Sequence, residues 1–328
     1  MNRKVTLLYI SLACVLSLQA QTRQQMGGVY YAYPEGPSAK TGTFGTATYV
    51  MADSLNVPQG YAPFYISHYG RHGSRWMPKD DRYVWICKHF EDESNLTPLG
   101  LQVKGMLQRV WENARGNGGR LSKLGALQHQ GIAHRMFERY PQIFAAGNAV
   151  KARSSVVDRC AKSMQAFTSE LHSLQPGLNL DVKTDSADMA WIAYVSPEVK
   201  ALENRTHVQA QVSPRRFLLQ LFKDVSKVDE PLKLMTEMHT VASSIQDVGL
   251  NFSSYPQDIE DGLNALFTDD EFRAIYDANN LRMTINNGTV ATNEDIPARS
   301  AISLWQNIEA EADRALRSVK SSATLRFG

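Results

Sequence analysis

Apolar and aromatic side chains crowd Phe64-Tyr65-Ile66-Ser67-His68-Tyr69 and stop at Gly70, a pattern that predicts a buried strand with an abrupt end. Tyr83 to Phe90 reads as a short helix or turn. The period then lengthens: Leu99, Val103, Met106, Leu107, Val110 and Trp111 recur at helical spacing, so a helix is expected through to Arg115. Thr97 suits its N-cap, Pro98 its first turn, and Gly116-Asn117-Gly118-Gly119 its stop. A second helix is expected from Leu124 to Phe144, with Pro141 as the place where it would break. Ala149 to Ser155 reads as a second strand ending in small polar residues. Val156 to Leu174 reads as a helix with Val157, Ala161, Met164, Phe167, Leu171 and Leu174 on its apolar side. Leu178 to Thr184 is a candidate third strand.

From about 186 to 300 the pattern changes to short helical segments (216–226, 229–245, 256–266, 269–279) rich in Asp, Asn, Gln, Ser and Met. This reads as a mostly helical insertion. A clear helix follows at 302–319, with Trp305, Ile308, Ala312, Leu316 and Val319 on one face, and Ala323 to Gly328 looks like a further strand. Strands alternating with helices give an α/β fold. The expected organisation is an α/β domain from 21–185 and 300–328, interrupted by a helical cap at 186–299. Residues 21–62, with turns at Pro34-Glu35-Gly36-Pro37 and Pro58-Gln59-Gly60, read as an extended arm.

Composition narrows the class. The 328 residues are 43% hydrophobic and 21% charged, values of a globular chain rather than a disordered one. Arg3-Lys4, the apolar run Val5 to Leu18 and the small Ala20 before Gln21 mark residues 1–20 as a signal peptide, so the protein is expected to be exported, to the periplasm or beyond the cell surface. A lipid anchor on Cys14 is disfavoured by Ser11-Leu12-Ala13 ahead of it and by the apolar residues after it. Removing Arg3 and Lys4 leaves 33 basic and 33 acidic residues, without the basic excess of a nucleic-acid binder. No other stretch is long enough for a membrane span. Cys87 and Cys160 either pair or remain buried thiols, and neither has metal-ligand spacing.

The candidate chemistry sits at 71–75. Arg71-His72-Gly73-Ser74-Arg75 follows the first strand, and in open α/β sheets ligands bind beyond the carboxyl ends of strands. Guanidiniums bind phosphate through paired donors, and a neutral imidazole beside them is a competent nucleophile. The second strand, its Ser154-Ser155 turn and the following helix offer backbone N–H groups to an anion, with Arg159 one turn into that helix. The plain alternative is a surface Arg/His loop paired with carboxylates. On these residues alone the two readings stay level.

Tyr69-Gly70-Arg71-His72-Gly73-Ser74-Arg75 resembles the R-H-G-x-R signature of the histidine acid phosphatases, which include phytases and multiple inositol polyphosphate phosphatases. Arg153-Ser154-Ser155-Val156-Val157-Asp158-Arg159 resembles the family's second block. The resemblance covers most of 60–175 and, more weakly, 300–328; Met77 in place of a proline points toward the inositol polyphosphate group. It implies a three-layer sandwich around a central mixed sheet. It also implies hydrolysis of phosphate monoesters such as inositol polyphosphates through a phosphohistidine, with no cofactor or metal, because three arginines supply the charge. His72 would be the nucleophile, and Arg71, Arg75 and Arg159 would hold the phosphate. Arg153 would support the site from its strand end or be an ordinary strand-terminal charge. Lys79 and Lys151 would contact further phosphates or be exposed lysines, and His68 would be either a supporting residue or a satisfied core histidine. The family's late His-Asp or His-Ala-Glu proton donor does not occur in these residues, so a truncated chain with impaired activity is expected. Two alternatives follow: an inactive inositol-phosphate-binding protein, or a phosphatase or mutase for small phosphate monoesters.

Overall fold

The structure, a computed structural model, describes residues 37, 38, 40–43, 57–318 and 320–328. The export segment, Cys14 and most of the arm expected before residue 57 lie outside them. Among the described residues four strands form one sheet: β1 (Tyr65–Gly70), β2 (Ala149–Ser154), β3 (Asn179–Thr184) and β4 (Ser322–Phe327), in the order β1-β4-β2-β3. Every pair is parallel, in a register that sets Gly70, Phe327, Ser154 and Thr184 level at their carboxyl ends. A mixed sheet was the expectation. Among the described residues every connection between strands passes through helices, the crossover that parallel neighbours require.

Helices α1 (Asp80–Lys88), α2 (Pro98–Ala114) and α3 (Lys123–Arg139) separate β1 from β2, and α4 (Asp158–Leu174) separates β2 from β3. Between β3 and β4 lie α5 (Met189–Ile192), α6 (Pro197–Arg205), α7 (Arg215–Leu221), α8 (Pro231–Val248), α9 (Gln257–Asn264), α10 (Asp269–Asn287), α11 (Ile296–Ser300) and α12 (Ile302–Leu316), with no strand among them. The ends obey local chemistry. Thr97 caps α2 by accepting from the Gly100 N–H, with Pro98 in the first turn. Ser122 caps α3 through Gly125. No described helix is long and apolar enough to cross a membrane.

Alternate residues of the strands face opposite layers. Val150, Ala152, Ala323, Leu325 and Phe327 pack against Ala133 of α3 and Met164, Phe167 and Leu171 of α4. Each large apolar side chain buried there contributes about 1.5–3 kcal/mol. The other face is polar and meets α12. Arg326, fully buried, donates to Asn307 Oδ1 at 2.9 Å and Ser67 Oγ at 3.0 Å, and Lys151 Nζ pairs with Glu311 at 2.6 Å. That need overrides the apolar periodicity of α12. Trp305 and Leu316, expected to face the core, are 60% and 66% exposed, while Glu311 and Ala315 are buried; Val319 lies outside the described residues.

A second core joins α1 and α2 to the helices after β3, with Tyr83, Ile86, Val103 and Val110 packed among Phe217, Leu221, Met238, Val241, Ile245 and Leu263. Thus α1 and α2 share their apolar burial with the helical body and not with the sheet. Cys87 and Cys160 are both free thiols.

Candidate active site

The Arg-His loop leaves β1 where three strand ends converge. Gly328 N–H donates to the Gly70 carbonyl at 3.1 Å, and Ser155 N–H to the Phe327 carbonyl at 3.0 Å, so the loop after β1 and the turn after β2 flank β4. The loop is then stapled to the N-terminus of α3. Ser122 N–H and Oγ both donate to the Ser74 carbonyl, at 2.9 and 3.0 Å, and Ser74 N–H donates to Gln128 Oε1 at 2.8 Å. Gly73 N–H donates to Ser163 Oγ of α4 at 3.1 Å. This approach is backbone on backbone. A Cβ on Gly73 would lie 2.3 Å from the Gly125 carbonyl oxygen, and one on Gly125 would lie 2.2 Å from that of Ser74. Both positions therefore demand glycine, for want of space and not for an unusual φ.

His72 is half-buried, and its Nδ1 bonds the Gly73 carbonyl at 2.8 Å. That bond places the proton on Nδ1, and no described residue hydrogen-bonds Nε2. Burial is the main force holding its pKa down, to about 4. The positive charges of Arg159, Arg71 and Arg75 lower it further, against the Gly73 bond, which raises it. At neutral pH His72 is an uncharged imidazole with a free nitrogen, inside the field of three guanidiniums. Arg75 is oriented by its own bond to the Trp76 carbonyl at 2.7 Å. Burial and the neighbouring Arg159 and Arg71 depress its pKa. Arg159 Nε is buried without a hydrogen-bond partner, an unspent donor at a site built of donors.

A cleft of about 360 Å³ opens on this loop, lined by residues 71–75 and by Arg82, Gln128, Thr240, Ser243, Ser244 and Asp247 among others. On the Arg159 side a second hollow is bounded by Pro78, Gly118, Gly119, Arg120 and Lys162. Four of the predicted residues are thus brought together: Arg71, His72, Arg75 and Arg159. Lys79 is exposed beside Pro78 at the rim. Arg153 and Lys151 line neither hollow. Arg153 is 7% exposed and donates to the Ala152 and Asp181 carbonyls at 2.8 Å each and to Asp181 Oδ2 at 2.5 Å. Lys151 is held by Glu311 on the sheet face that meets α12. Each is engaged by a carboxylate of the fold, Arg153 by Asp181 and Lys151 by Glu311.

His68 lies beneath the loop with its ring 5.6 Å from Phe167 and 5.9 Å from Phe327, and its Nε2 has no partner. Burial first and Arg326 second lower its pKa. His129 of α3 is 2% exposed and stacks edge-on against Phe327 at 5.5 Å; its ring faces the Arg71 main chain. Burial, His68 and His72 hold it near a pKa of about 4, so it too is uncharged.

The α8 residues of the cleft were missed on sequence. Thr240, Ser243, Ser244 and Asp247 fall at i, i+3, i+4 and i+7 on a helix otherwise rich in Leu, Met, Val and Ile, and a polar stripe at that spacing was the available signal. Asp247 is 9% exposed and accepts from Ser74 Oγ at 2.6 Å. Burial raises its pKa to about 6, against the lowering effects of the Ser74 bond, Arg75 and Arg71.

No protein-family model matches the chain. Over 209 residues it is 23% identical to multiple inositol polyphosphate phosphatase 1 of Gallus gallus, a match covering 62% of this chain and 45% of that protein. The chain therefore spans less than half the length of the curated relative. Its fold matches the Bifidobacterium longum multiple inositol polyphosphate phosphatase in complex with inositol hexasulfate, at 15% identity and a TM-score of 0.65, over 90% of this chain and 76% of the other. It also matches the phytase from D. castellii, at 11% identity and a TM-score of 0.60, over 94% and 67%.

Proposed function

We propose, from the histidine acid phosphatase membership that the sequence match and shared fold support, that this chain is a phosphomonoester hydrolase acting on inositol polyphosphates. The observation that carries the reading is an uncharged His72 with Nε2 free, set among Arg71, Arg75 and Arg159. The three guanidiniums hold the transferring phosphoryl group and stabilise the charge on its equatorial oxygens. His72 Nε2 attacks phosphorus along the line of the ester bond, giving a phosphohistidine that water then hydrolyses. The Gly73 carbonyl keeps the Nδ1 proton in place, so the attacking tautomer is fixed before substrate arrives.

Polyphosphate substrates suit a cleft with cations on more than one side. Arg82 lies at one edge, and Arg120 and Lys162 lie beyond Arg159. Lys79 at the rim is assigned to a peripheral phosphate, and Arg153 and Lys151 are left out of the binding set. We assign residues 1–20 as an export signal, which places the protein in the periplasm or outside the cell, and residues 186–299 as the cap over the site.

The test is release of inorganic phosphate from inositol hexakisphosphate, inositol monophosphate and simple alkyl phosphates, by the parent and by His72→Ala. The parent should release phosphate with the hexakisphosphate preferred, and His72→Ala should bind inositol hexasulfate yet release nothing. Release by His72→Ala at the parental rate contradicts the reading. Binding without turnover by the parent replaces it with a phosphate-binding role.

A further inference from the structure

One side chain of the cleft has half of its polar capacity committed and half left over. Gln128, in the second turn of α3, lines the same hollow as His72 and Arg75. Its Oε1 accepts from the Ser74 N–H at 2.8 Å. A backbone N–H is met by the oxygen of a side-chain amide and not by its nitrogen, so this bond fixes which way the group is turned. The oxygen faces the loop backbone, and no described residue accepts a hydrogen bond from Nε2.

The frame around Gln128 is tight. Ser122, the N-cap of α3, donates to the Ser74 carbonyl from both its N–H and its Oγ, and Gly73 meets Gly125 with no room for a Cβ on either. Holding the loop needs only an acceptor, which the Gln128 oxygen supplies. The other uncharged hydrogen-bonding side chains of the cleft have their donors in use. Thr240, Ser243 and Ser244 donate to carbonyls of their own helix, Ser74 Oγ donates to Asp247, and His72 Nδ1 is spent on the Gly73 carbonyl. Among the described residues lining the cleft, Gln128 is thus the sole uncharged side chain with N–H groups still to give.

The neighbouring charges say what those groups meet. Arg71 and Arg75 draw an anion into the cleft, and Arg75 is already crowded, its pKa depressed by burial and by the charges of Arg159 and Arg71. A further cation there would deepen the repulsion and disfavour binding sites for its own kind. An amide adds a hydrogen bond to an anionic oxygen, of the charge-assisted kind, without adding charge.

We propose that Gln128 is a substrate-binding residue of this site, its Nε2 donating to a non-bridging oxygen of the phosphoryl group that His72 takes. The inference rests on the phosphatase reading above. The amide keeps both of its protons throughout. It aligns phosphorus with His72 Nε2 and stabilises the charge carried by the equatorial oxygens during transfer. Because the contact is to the reacting group, it serves every ester the cleft accepts, whatever the alcohol.

The experiment uses the full chain carrying ¹⁵N in its glutamine side chains, with inorganic phosphate as the probe. The Gln128 side-chain resonances, identified by their absence from Gln128→Met, should shift on saturation with phosphate, and their protons should exchange more slowly with solvent. Gln128→Glu keeps an oxygen for the Ser74 N–H and loses the donors. Both variants should bind phosphate about 10–100-fold more weakly and lose similarly in kcat/KM on inositol hexakisphosphate and on p-nitrophenyl phosphate, with urea unfolding as the check that each is folded. Resonances unmoved by saturating phosphate, or a Gln128→Glu variant that binds phosphate as tightly as the parent, overturn the assignment and leave Gln128 as a support for Ser74 alone. A loss confined to the hexakisphosphate also overturns it, because the contact is then to a peripheral phosphate. Each of these results leaves the phosphatase reading standing, whereas a parent that neither binds phosphate nor forms a phosphohistidine overturns both.

Discussion

Replacing Asp247 by Asn should stabilise the protein at neutral pH, and the structure sets the size. Burial lifts this carboxyl from 3.8 to about 6. The folded state thus binds its proton more tightly than the unfolded chain does. The sign follows by linkage: the folded protein gains from this group below about pH 4, and the gain is lost as pH rises through about 6. A difference of about 2 pKa units corresponds to about 3 kcal/mol. Asparagine is neutral at every pH, and its Oδ1 can still accept from Ser74 Oγ. The assay is urea unfolding of parent and Asp247→Asn at about pH 7.5 and about pH 3.5, where contributions from His72, His129 and the arginines cancel between the two proteins. The variant's advantage at the higher pH should exceed that at the lower by about 3 kcal/mol. An offset that is the same at both pH values refutes the claim that the folded protein keeps an ionised carboxylate buried at a cost.

Three further outcomes follow from contacts in the fold. Gly125→Ala lies outside the R-H-G-S-R segment, yet its Cβ would meet the Ser74 carbonyl at 2.2 Å, so it should cost about 1–3 kcal/mol in thermal or urea unfolding and depress phosphate release. Lys151→Met leaves the buried Glu311 with only part of its pairing and should cost about 1–3 kcal/mol, with inositol hexasulfate affinity by calorimetry unchanged. Arg159→Ala, in contrast, should weaken hexasulfate binding at least 10-fold with little change in unfolding, because its Nε has no partner within the fold.

Much of the scaffold was legible because local chemistry and burial agreed. The Phe64–Tyr69 run marks a strand, but β1 stands at the end of the described sheet and is half-exposed rather than buried, with Tyr69 47% exposed, whereas the Thr97-Pro98 cap and the small residues at Ser154-Ser155 each mark an element where it forms. Where burial was shared with polar partners, periodicity misled. Trp305 and Leu316 of α12 point to solvent and Ile308 and Ala312 are only half-buried, because Arg326 and Lys151, projecting from the sheet, take Asn307 and Glu311 as partners. Arg153 stood at the right strand end but is consumed by Asp181, a partner that only strand pairing brings next to it. The Arg-His loop was readable as a unit, since its residues are contiguous. The wall facing it was not: Asp247 meets Ser74 across 173 positions of sequence, and only the polar stripe on α8 hinted at it.

The central claim is that His72 receives the phosphoryl group. Acid-labile label trapped on the protein during brief incubation with ³²P-labelled phosphate ester, followed by peptide mapping, tests it most directly. The expected result is phosphohistidine on the peptide carrying Arg71-His72-Gly73, absent from His72→Ala and enriched in the parent at about pH 5, where the imidazole stays uncharged. Label of equal yield on His72→Ala, or on another residue of the parent, contradicts the account.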